Sequence, residues 1–131
     1  MHVAAICAGG LGLLVFGLGF AVSMTRGATN TAIGYNPDPA DRLYKMVRAH
    51  GNAIEYNPML AILMLYLGSQ QPAGWLGWVF IIATASRVLH AAGMIMSPTL
   101  AKAQPLRFAG ATGTYVCGLI LGVETILFAT S

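Results

Sequence analysis

Charge is scarce in this sequence. Only 8% of its 131 residues are charged and 56% are hydrophobic, where a soluble domain carries about a quarter charged residues. That balance excludes an ordinary water-soluble globule and points to an integral membrane protein, of a length suited to one domain over residues 1–131. Acidic residues are the rarest charged type, four against seven Lys and Arg, for a net charge of +3. In so apolar a chain, membrane topology accounts for the basic excess and no nucleic-acid partner is expected. Cysteine is nearly absent. Cys7 and Cys117 lie inside apolar runs, without Cys-x-x-Cys or paired His spacing. Neither a disulfide framework nor a metal site is expected, and both read as small packing residues. No basic segment precedes the first apolar run, so that run is expected to stay as a helix and not to be cleaved as a signal. Alternating patterns, internal repeats and low-complexity stretches are missing too, which argues against strands and against a transporter built on inverted repeats.

What is present is four long apolar stretches, 3–25, 46–69, 74–96 and 107–129. Each is long enough to cross about 30 Å of hydrocarbon as a helix. Polar, proline-bearing breaks separate them: NPDPAD at 36–41 with helix-capping aspartates, GSQQPAG at 68–74, and SPTLAKAQP at 97–105. The fold class is all-α, an integral membrane four-helix bundle. Arg26, Arg42, Lys45 and Arg48 lie between the first helix and the head of the second, and Lys102 and Arg107 between the third and the head of the fourth. By the positive-inside rule, loops 1 and 3 are cytoplasmic and both termini are outside. Glycines in the first helix, and Thr114, Gly118 and Gly122 in the fourth, are expected to allow close helix approach within one chain or between chains.

Polar groups inside the spans need an explanation. Arg48, Asn52 and Glu55 recur at i, i+4 and i+7 and share one helix face, with Tyr56 beside them and Pro58 just beyond. Proline removes an N–H, frees the Ile54 carbonyl and invites a kink. On the third helix Arg87 lies deep in the span, with His90 one turn on and Met94 continuing the row. An unpaired arginine at that depth costs several kcal/mol, so an ion pair between Arg87 and Glu55 is expected. Two readings follow. The charged set staples helices 2 and 3, or it forms a basic pocket whose one carboxylate and amide suit a small anion that also carries an amine. The second accounts for more of the polar groups. Glu124, near the far end of the fourth helix, takes no assigned role.

RAHGNAIEYNP at 48–58 and RVLH at 87–90 resemble the signatures of the MAPEG family, the membrane-associated proteins in eicosanoid and glutathione metabolism. The chain looks like a bacterial-type member, and the resemblance covers essentially all of it. It implies a homotrimer with a glutathione site between neighbouring subunits near the cytoplasmic side. Carried over, the glutathione contacts are Arg26, Arg48, Asn52, Glu55, Tyr56 and His90. Arg107 is the resemblance's candidate for stabilising the glutathione thiolate, with Lys102 behind it. Met94 stands where relatives carry tyrosine, and Gly51 where some prostaglandin-forming relatives carry arginine, so the specialised eicosanoid chemistries are not expected.

The function the resemblance implies is a glutathione-dependent membrane transferase or peroxidase, with glutathione as co-substrate and no metal. A cationic group beside the sulfur favours thiolate over thiol. The thiolate would attack a small lipophilic electrophile or a lipid hydroperoxide arriving from the membrane lipid, as in detoxification. The location implied is a bacterial inner membrane. Two other classes stay open: a non-catalytic binder of glutathione or anionic lipid, and a structural membrane subunit.

Overall fold

The structure, a computed structural model, describes residues 1–70 and 72–130. It is all-α: α1 (His2–Thr29), α2 (Arg42–Ser69), α3 (Gly74–Met96) and α4 (Pro105–Thr130). The turn expected at 68–74 includes Gln71, which lies outside the described residues, as does Ser131.

The helices outrun the apolar stretches because local chemistry adds polar turns to their ends. Asp41 accepts the Tyr44 N–H at 2.8 Å, so α2 starts at Arg42, four residues before the apolar run. Pro105 opens α4, where a missing N–H costs nothing, and the Gln104 side chain takes the Arg107 N–H at 2.8 Å as a cap would. Asn30 closes α1 in the left-handed conformation, its N–H on the Gly27 carbonyl. α2 is one helix through Pro58.

α1 packs along α2 and α3 along α4, and α2 and α3 meet in the middle, while the backbones of α1 and α4 do not approach each other among the described residues. Leu11, Leu60, Met64, Leu67, Leu76, Phe80 and Leu121 fill the main apolar core, together with both free cysteines. The outside is also apolar. Ile6, Leu13 and Phe16 on α1 and Phe108, Leu119 and Ile126 on α4 are all exposed, which a water-soluble monomer would not tolerate and a bilayer solvates. α1, α3 and α4 are each long and apolar enough to cross a membrane. α2 is not in that set, because Arg48, Asn52, Glu55 and Asn57 interrupt it. It is stable among lipid-spanning helices only where those groups find polar company.

The loops sit together at one end. The Leu100 N–H donates to the Pro39 carbonyl at 2.9 Å, and Lys45 Nζ donates to the Ser97 carbonyl at 2.9 Å. The start of α2 is thereby level with the end of α3.

Close approach between α3 and α4 depends on glycine. A Cβ on Gly110 would stand 2.6 Å from the His90 backbone nitrogen and 2.7 Å from the Ser86 carbonyl oxygen, distances no real side chain occupies. Gly122, in the row expected to mediate packing, and Gly9, Gly12 and Gly17 of α1 meet nothing within 4 Å in the protomer.

Candidate functional site

Arg87 is 1% exposed, in the middle of the bundle. Its Nε donates to Asn57 Oδ1 at 2.9 Å. Its Nη2 donates to Asn52 Oδ1 at 2.6 Å and to the Asn52 carbonyl at 3.1 Å, and Nη1 reaches Thr114 Oγ1 at 3.5 Å. The Tyr56 ring lies beside the guanidinium, centroid at 5.1 Å, in cation–π range. Asn57 carries the network onward, since its Nδ2 donates to the Leu11 carbonyl at 3.1 Å. One buried cation therefore ties all four helices through neutral partners. Each neutral partner supplies a carbonyl, hydroxyl or π dipole aimed at the charge, which is how a buried charge is tolerated in a medium of low dielectric.

This corrects the expected ion pair. No carboxylate is among the groups bonded to Arg87. Glu55 is exposed and takes no hydrogen bond or ion pair among the described residues. The physical reason is helical phase: Glu55 is carried round α2 to the outward side, whereas Asn52 and Asn57 flank the buried side that α3 meets.

Arg48, Asn52, Glu55 and Tyr56 do come together, along the outward edge of α2. Arg48 and Glu55 are exposed, and Asn52 and Tyr56 half-buried. Beside them opens a cleft of about 520 Å³ between α2 and α4, lined by Glu55, Tyr56, Met59, Leu63, Tyr115 and Leu119 among others. That volume is in the range of small-molecule sites. Its walls are apolar except at the end where Glu55 sits and where the Tyr56 and Tyr115 hydroxyls meet at 3.3 Å.

The remaining candidates lie elsewhere in the protomer. His90 Nδ1 donates to the Arg107 carbonyl at 2.9 Å, which only accepts, so this nitrogen carries the proton, and Nε2 makes no hydrogen bond among the described residues. The two residues line a separate pocket of about 240 Å³ with Gln104 and Phe108. Arg107 is partly committed: Nη1 donates to the Leu100 and Lys102 carbonyls, both at 3.2 Å, and Nε is buried without a partner among the described residues. Lys102 is exposed. Arg26 folds back over the end of α1, Nη1 donating to the Gly34 carbonyl at 2.8 Å and the Thr31 carbonyl at 3.3 Å, beside its own surface pocket with Gly27 and Asn30. A single protomer thus brings the α2 set together and leaves His90 with Arg107, and Arg26, at two other places.

The sequence reading missed Asn57 and Tyr115, and placed Thr114 in a packing row without its contact to Arg87. A signal for Asn57 was there, since a second amide in an oily helix has to be bonded. For Thr114 and Tyr115 there was little, because their role depends on how α4 rotates against α2.

The sequence profile of the MAPEG family matches residues 4–127. No individually curated protein matches the chain.

Proposed function

The chain belongs to the MAPEG family, and on that premise we propose that it is a glutathione-dependent membrane transferase or peroxidase. The observation that carries this reading is the outward row on α2. Arg48 and Glu55 are exposed polar groups in a membrane-embedded bundle, and Arg87 does not need them. If the row served only to staple helices, Glu55 would neutralise Arg87. It instead makes no hydrogen bond or ion pair among the described residues, which leaves its carboxylate available to a group outside the protomer.

Glutathione supplies the complement. Its ammonium suits Glu55, and its carboxylates suit Arg48 and the basic rim by charge-assisted hydrogen bonds. The apolar cleft beside Glu55 suits a lipophilic acceptor. Because the α2 row, the His90–Arg107 pocket and Arg26 are separate within one protomer, the site is proposed to be completed in a homotrimer, where the row of one subunit faces the rim of the next. The joined loops 1 and 3, with their basic residues, would be cytoplasmic, in a bacterial inner membrane, and both termini outside.

In the transferase reaction the cysteine thiol of glutathione loses its proton, the thiolate bonds to the electrophilic carbon, and the leaving group departs with the electron pair. For a hydroperoxide the thiolate attacks the terminal oxygen, an alcohol leaves, and a second glutathione reduces the sulfenic acid to disulfide and water. Arg107 is the proposed thiolate stabiliser. Its Nη2 has no partner among the described residues, and a guanidinium beside sulfur lowers a thiol pKa.

The test is the thiolate absorbance of glutathione with the detergent-solubilised protein. A saturable band that disappears in the Arg48→Ala/Glu55→Gln double variant supports the reading. Arg107→Ala should retain glutathione binding and lose the band, and unchanged turnover in that variant would remove Arg107 from the mechanism. The commitment of Arg107 Nη1 to loop carbonyls favours one competitor, a non-catalytic glutathione binder, which would give calorimetric binding with no band in the wild type.

A further inference from the structure

We infer that Arg87 is a positioning residue for the ligand-binding face: it locks the Asn52 amide so that Nδ2 faces outward, which makes Asn52 an obligate hydrogen-bond donor beside Glu55. This deepens the glutathione reading and rests on it for the identity of the ligand.

The two ends of an asparagine amide are nearly identical in shape and opposite in chemistry. A free Asn52 could offer a ligand either end. Here the choice is made from behind. A guanidinium has donors only, so the atom 2.6 Å from Arg87 Nη2 has to be the acceptor Oδ1. The same Nη2 also donates to the backbone carbonyl of Asn52 at 3.1 Å, so it grips the residue at two points. Arg87 in turn cannot swing away. Its Nε is held by Asn57, and the Asn57 amide cannot turn over, because its own Nδ2 is committed to the Leu11 carbonyl. A flipped Asn52 would set N–H groups against a buried cation and forfeit a charge-assisted bond, which biases the population roughly ten- to a hundredfold toward the observed orientation.

Nδ2 of Asn52 makes no hydrogen bond among the described residues. It lies on the boundary between the buried side of α2 and the outward row, one turn from both Arg48 and Glu55. The cation behind it polarises the amide and makes its N–H groups stronger donors. The face therefore reads, along α2, as donor, donor, acceptor. A ligand has to bring an oxygen acceptor, carboxylate or peptide carbonyl, to Asn52 and its ammonium to Glu55. Arg87 contributes to recognition without touching the ligand.

The experiment compares Asn52→Asp with Asn52→Leu in the intact protein. Asp keeps the acceptor for Arg87 and removes both outward donors. Leu removes everything. We expect Asn52→Asp to melt at or above the wild-type temperature and Asn52→Leu well below it. Glutathione affinity by calorimetry should fall roughly ten- to a hundredfold in Asn52→Asp, and the loss should persist in high salt, where a repulsion between carboxylates is screened. An Asn52→Asp protein that melts as low as Asn52→Leu would overturn the locked orientation. One that binds glutathione like the wild type, or recovers binding in high salt, would overturn the donor role. The glutathione reading fails separately, if the wild type binds none. In that case the side-chain amide resonance of Asn52, assigned by its loss in Asn52→Asp, still decides the lock. It should shift in Arg87→Lys, and an unmoved resonance would refute it.

Discussion

Asn57 and Glu55 stand close together on α2 and meet opposite fates. Asn57 is 2% exposed, with its carbonyl oxygen on Arg87 and its amide nitrogen on α1. Glu55 is exposed, borders an apolar cleft and has no bonded partner among the described residues. Both interrupt the hydropathy of the helix by similar amounts. The interruption at Asn57 is repaid inside the protomer as a link between helices. The one at Glu55 is left open. Polar residues in a membrane helix therefore divide by whether their own chain satisfies them, and the unsatisfied ones mark where something else binds.

The contrast can be broken from either side. The largest effect should come from Arg87→Leu. That variant strands Asn57 Oδ1 in the buried interior and takes the partner of half-buried Asn52 Oδ1, while Thr114 Oγ1 keeps its bond to the Gly110 carbonyl, at a cost on the order of 3 kcal/mol, read as loss of the folded bundle in a detergent melt. A melt unchanged by this substitution would mean that the network does not hold the helices. Glu55→Gln should be the mirror image. We expect a melting temperature within the scatter of surface substitutions, about 0.5 kcal/mol, with glutathione affinity lowered roughly tenfold or more. Marked destabilisation without glutathione would return Glu55 to a structural role. The smallest effect is expected of Tyr115→Phe. It removes an exposed hydroxyl contact of 3.3 Å and should cost no more than about 0.5 kcal/mol, sharpening the boundary of the cleft without moving the core.

The four helices and the membrane were legible because length and hydropathy carry that information directly. The row Arg48, Asn52, Glu55 was legible because helical spacing alone puts those residues on one face. The partner of Arg87 was not. Charge balance points to the nearest carboxylate at the right depth, and depth is readable from sequence, but the rotation of α2 against α3 is not. About a third of a turn decides whether Glu55 or the two asparagines face the arginine. The same limit hid the contact surface of α4. Its GxxxG spacing drew attention to Gly118 and Gly122, whereas the backbone crosses α3 at Gly110, one turn before Thr114 in the same row of small residues.

The order in which the network is written along the chain has a consequence for biogenesis. During membrane insertion an arginine in the middle of an emerging helix is a reason for that helix to be rejected into water. Asn52 and Asn57 precede Arg87 in the chain, so two of the acceptors for its guanidinium have been synthesised before α3 emerges. Thr114, the last partner to be synthesised, makes the longest of the four hydrogen bonds, at 3.5 Å. The third helix thus follows its two asparagine partners in synthesis, and the fourth supplies the last and longest contact.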